Sequence, residues 1–131
     1  MGQPAAKEGD KVMATDIHIV MIPTPGGPVP TPLPHPFMGA LDGGLSADVE
    51  IEGKKAAVQG STATNSPSHI PQGGPFQSPP KNKGEILMGS ATVLINGKGA
   101  ARNADPAKTC NDPADLPAGQ VIAVGTVMVG G

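Results

Sequence analysis

Residues Val49-Glu50-Ile51-Glu52-Gly53-Lys54-Lys55-Ala56-Ala57 return 44 positions later as Val93-Leu94-Ile95-Asn96-Gly97-Lys98-Gly99-Ala100-Ala101. Extended to Ser61 and Asp105, the alignment holds six identities in thirteen positions. A third copy is split between the two ends of the chain. Pro4-Ala5-Ala6-Lys7-Glu8-Gly9-Asp10 matches the second half of the unit, Gly99-Ala100-Ala101-Arg102-Asn103-Ala104-Asp105. Thr126-Val127-Met128-Val129-Gly130-Gly131 matches its first half, Thr92-Val93-Leu94-Ile95-Asn96-Gly97. The end of the chain then supplies the strand that its beginning lacks. A repeat closed in this way predicts a small object with pseudo-three-fold character, and a partner with true three-fold symmetry.

The repeat also decides how the composition is read. With 19 Gly and 16 Pro in 131 residues, an aperiodic chain would be expected to be disordered. Here the glycines read as turn residues and the prolines as stiffeners of a single domain spanning residues 1–131. Large aromatic rings, which normally supply much of a core's buried area, are nearly missing: there are two Phe and no Trp or Tyr. Some staple is expected, and Cys110, the only cysteine, cannot form it as an intrachain disulfide. A net charge of −2 offers no electrostatic footprint for nucleic acid. The charged N-terminal stretch does not read as a secretory signal, and the run at 17–22 is too short to span a bilayer. Cytoplasmic synthesis is expected, with any export carried out by other machinery.

No window sustains a 3.6-residue apolar period, so almost no helix is expected. Strands are expected at 16–22, 48–52, 92–95 and 121–129, as small hairpins with no extended sheet. Asn96-Gly97 suits a two-residue type I′ turn, in which both positions need positive φ, and Glu52-Gly53 is a weaker version. Pro28, Pro30, Pro32, Pro34 and Pro36 fall on alternate residues. In an extended strand they would strip the amide donors from one edge and leave Val29, Leu33 and Phe37 on a common face with Thr31 and His35.

His18, His35, His69 and Cys110 exhaust the histidine and cysteine inventory. Together they make a candidate tetrahedral site for one structural zinc, with iron as the second choice. Such an ion can contribute about 10–16 kcal/mol in zinc-finger peptides, enough to offset a thin core. Two other functions compete. A zinc hydrolase would leave Cys110 out and use Asp16, on the same strand face as His18, as general base. A proline-rich adaptor would bind through residues 23–36. Four protein ligands leave no open position on the metal, and the adaptor explains neither repeat nor ligands, so no enzymatic activity is expected.

The near-motifs Pro4-Ala5-Ala6-Lys7 and Gly99-Ala100-Ala101-Arg102, with the strand and turn Ser90-Ala91-Thr92-Val93-Leu94-Ile95-Asn96-Gly97, resemble the PAAR-repeat family over essentially the whole chain. Proteins of that family are metal-bound cones that sharpen the spikes of contractile injection machines. The resemblance implies an all-β cone or prism of short hairpins, stapled near its tip by zinc on His18, His35, His69 and Cys110. It also implies one chain capping a homotrimeric spike of the valine–glycine-repeat (VgrG) type. Transient contact with a target membrane follows from that role, and any effector would be a separate chain carried with the particle.

Overall fold

A computed structural model of the chain describes residues 2–130. Among the described residues every regular element is a strand, twelve in all. Three pairs are short ladders: β4 (Glu50–Ile51) with β5 (Lys54–Lys55), β8 (Leu94–Ile95) with β9 (Lys98–Gly99), and β12 (Met128–Val129) with β1 (Gln3–Pro4). The first two turn through Glu52-Gly53 (φ 53° and 81°) and Asn96-Gly97 (φ 53° and 80°), the paired positive φ that a type I′ turn demands. The third joins the chain's two ends, with Gln3 opposite Val129 and Pro4 opposite Met128, as the split repeat predicts. Of that repeat, Gly131 lies outside the described residues.

Each ladder is followed by an Ala-Ala pair, and the three pairs are tied head to tail. The Ala6 amide donates to Ala101, the Ala101 amide to Ala57, and the Ala57 amide to Ala6, at 2.9, 3.0 and 3.0 Å. All six alanines are buried where the three backbones converge, a place suited to small side chains. The first of each pair (Ala5, Ala56, Ala100) packs with Ile51, Val58, Ile95 and Val129 among the ladders. The second (Ala6, Ala57, Ala101) faces a separate core. Each pair then ends in a turn closed by a side chain. The amides of Lys7, Val58 and Arg102 donate to Asp10, Ser61 and Asp105, at 3.0, 2.9 and 2.7 Å. Ser46 and Ser90, also 44 residues apart, cap the entry to two ladders by accepting the amides of Val49 and Val93.

The second core is the interior of a closed barrel, in the order β10 (Pro106–Thr109), β11 (Leu116–Ile122), β2 (Lys11–Ile22), β3 (Val29–Gly43), β6 (Thr62–Asn65), β7 (Lys83–Ile86). This corrects the expectation of small hairpins alone: β2 and β3 run 12 and 15 residues. The strand expected at 121–129 is also broken, since β11 ends at Ile122 and β12 starts at Met128. Phe37 fills the barrel with Val12, Leu41, Ile86 and Val121. Gly84 gives it room; a Cβ there would lie 3.3 Å from the Phe37 ring. The proline edge holds from Thr31 to Phe37, which alternate inward while the prolines between them face out and β3 pairs with β2 through twelve residues; Val29, expected on the same face, is exposed. β6 covers the far edge of β3 only from Gly39 to Gly43.

Candidate metal centre

Beyond Phe37, where β2 and β3 extend past the other strands, the barrel carries polar side chains. Asp16 and His18 share the inward face of β2, because strand side chains alternate. His35 stands on β3 directly across from Asp16. His69 follows β6, its backbone amide held by the Asn82 side chain at 2.8 Å. Cys110 follows β10, its amide bonded to the Lys83 carbonyl. All five are buried. Phe37 and Phe76, the only aromatic residues besides the histidines, bracket the cluster: Phe37 lies 6.1 Å from the His69 ring, and Phe76 lies 5.3 and 5.8 Å from those of His35 and His18.

Ligand atoms of Asp16, His18, His69 and Cys110 lie within 4.8 Å of one another. Asp16 Oδ2 is 2.9 Å from His69 Nε2 and 3.5 Å from Cys110 Sγ, which is 3.6 Å from His18 Nε2. Three of the four residues expected from the sequence are therefore together. The fourth, His35, packs against them with ring centroids 5.6 Å from His18 and 5.5 Å from His69; His18 and His69 are 4.9 Å apart. Two imidazoles sharing a tetrahedral ion through nitrogen bonds of about 2.0–2.1 Å would have centroids roughly 5 Å apart. His35 Nε2 and His18 Nδ1 are both buried without a hydrogen-bond partner, and Asp112 Oδ2 stands 3.6 Å from His18 Nδ1. An unpartnered buried nitrogen is costly, and a metal would satisfy it. The donor set of imidazole, thiolate and carboxylate suits zinc chemistry.

Electrostatics describe the cluster before metal enters. Burial foremost, then the Asp16 charge, pushes the Cys110 thiol up from 9.0 to about 11. Burial lowers His18 below its ordinary 6.5, against the pull of Asp112. Both groups are therefore neutral near pH 7, and a metal must displace the thiol proton. A cavity of about 240 Å³ lined by His18, Cys110, Lys81, Asp112 and Asp115 adjoins the cluster.

Sequence reasoning assigned Asp16 only a general-base role and overlooked Asn65, Asn82 and Asp112. The Asp16-x-His18 spacing on one strand was the available signal for Asp16; nothing in the sequence marks the other three. No helix among the described residues is long and apolar enough to cross a membrane. No protein-family model matches the chain, and no curated protein does.

Proposed function

We propose that this protein is a structural spike tip: a pseudo-three-fold cone that caps a homotrimeric VgrG-type spike of a contractile injection machine and is hardened by one zinc ion. The single observation carrying this reading is the head-to-tail ring of Ala6, Ala101 and Ala57, which joins the three ladders. A monomer with three similar edges can offer each subunit of a trimer nearly the same contact, whereas an ordinary surface would satisfy one and frustrate two. Leu94 and Met128, at matching places in two ladders, are 61% and 56% exposed, as expected of residues that dock. The third ladder carries Glu50 there, so the three edges are similar without being identical.

The reading gives the metal a mechanical role. The alanine-lined ladders bury little apolar area per residue, and a coordinated ion fastens the opposite end of the barrel, where the β2–β3 pair projects. We read that end as the tip and the ladders as the base. Exposed prolines stiffen β3 and deny its open edge amide donors. Asp16 has no solvent exposure, which suits a structural site better than a general base reached by substrate. In this reading the chain is not an enzyme. It is made in the cytoplasm and leaves with the particle, and it touches the target membrane transiently.

The test is stoichiometry. Co-expressed with a trimeric VgrG-type spike protein, the chain should bind as one copy per three subunits by native mass spectrometry. Charged substitutions at Leu94 and Met128 should weaken that binding. Three copies per trimer, or attachment through residues 23–36 with the ladders free, would favour the adaptor instead.

A further inference from the structure

The ligand atoms that converge within 4.8 Å belong to Asp16, His18, His69 and Cys110, without His35, but hydrogen-bond polarity chooses differently between the histidines. Asn65 Oδ1 accepts the Met38 amide at 2.9 Å, so the Asn65 group facing His69 Nδ1, at 3.3 Å, is the Nδ2 donor. Its other proton goes to Asn82 Oδ1 at 3.1 Å, and Asn82 is fixed in turn by accepting the His69 backbone amide. His69 Nδ1 is therefore an acceptor and the ring proton sits on Nε2, where it donates to Asp16 Oδ2 at 2.9 Å. His35 has the opposite polarity. Its Nδ1 faces the Leu33 carbonyl at 2.9 Å and must donate, which leaves the lone pair on the buried, unpartnered Nε2. His18 follows His35, with Nδ1 toward the Asp112 carboxylate and Nε2 toward Cys110.

Asp16 is wholly buried, and among the described residues no lysine or arginine pairs with it. It collects donors from Thr109, Cys110 and His69. Asp16 Oδ2 lies 3.5 Å from Cys110 Sγ, close enough for one cation to touch both. A buried carboxylate beside a thiolate needs a cation in contact with both.

We propose, on the reading that one metal binds this cluster, that Asp16 rather than His69 completes its sphere with His18, His35 and Cys110. His69 stays outside that sphere as the N–H donor that holds Asp16, the way ligating carboxylates are commonly oriented. Thiolate and carboxylate then neutralise a divalent ion, and binding releases one proton, from Cys110, to solvent.

X-ray absorption on the unmodified zinc-loaded protein reads this directly, because outer-shell scattering counts imidazoles. Two imidazoles and one sulfur are expected; three imidazoles would overturn the proposal. As a second measurement, His69→Gln keeps a side-chain N–H for Asp16 and should hold one zinc per chain with its imidazole count still two. His35→Gln should lose the metal or drop the count to one. A His69→Gln protein that folds by circular dichroism but has lost one imidazole from the count would likewise overturn it. An unmodified protein that takes up no zinc would instead remove the metal reading on which the proposal rests.

Discussion

Burial acts in opposite senses on two donors only 3.6 Å apart, Cys110 and His18. The Cys110 thiol is raised from 9.0 to about 11, so its contribution to the metal-free fold is whole below pH 9 and is lost as pH rises through 11. Its size is about 3 kcal/mol, at roughly 1.4 kcal/mol per pH unit. His18 is lowered from 6.5, so its contribution is whole above that value and fades as pH falls through the lowered one. Chelator-treated protein should thus show a stability plateau between pH 6.5 and 9.0 in denaturant titrations, falling away on both sides. Zinc-loaded protein should not show the alkaline fall, since its thiol is already a thiolate. Cys110→Ser should abolish that alkaline limb in the metal-free protein. It should also lower zinc content and melting temperature together in the loaded one, measured by elemental analysis and calorimetry. A serine variant that keeps its zinc would place Cys110 outside the sphere. At this scale the sequence was a partial guide. Inventory alone picked out the histidines and cysteine, because the chain has no other imidazole or thiol. Asp16 was harder to weigh, because one acid among many has no distinguishing mark until its burial is known.

Among the elements, β3 makes the proline pattern interpretable. Thr31, Leu33, His35 and Phe37 turn inward and the prolines outward, as period-two alternation requires. Replacing Pro30 and Pro32 with Val should return two amide donors to an edge that β6 does not cover. The expected outcome is concentration-dependent self-association by light scattering, with zinc content unchanged; a variant that stays monomeric would mean something other than the prolines protects this edge. The short barrel strands β6, β7 and β10 escaped sequence reasoning for a physical reason. Their inward residues are Ala63 and Asn65, Gly84 and Ile86, Ala107 and Thr109. With the Phe37 ring filling the middle, several of its neighbours are small, and four-residue segments that carry Ala, Gly, Asn or Pro beside isolated Ile or Thr give too short a pattern to read as strands. The long β-branched run of β2 did give one, though the strand begins at Lys11, well before residue 16.

Across the whole molecule, the ladders were legible because their information is local and repeated, whereas barrel closure depends on pairings between segments far apart, such as β11 with β2. The β12–β1 ladder is where both kinds of information meet. It occupies the place that Glu52-Gly53 and Asn96-Gly97 bridge in the other two, and Glu52 reaches across to accept the Thr126 amide at 2.8 Å. The β12–β1 pair, Val129 opposite Gln3, thus stands where each of the other two ladders is joined by a turn. A circular permutant follows: a short glycine linker joins the old ends, and new ends open between Asn96 and Gly97. It should fold to the same barrel, bind one zinc per chain and stay soluble, because it only moves the nick from one ladder to another. If it aggregates while a linker-closed protein reopened in the exposed turn at 24–27 does not, the three ladders are unequal in what they ask of a continuous chain.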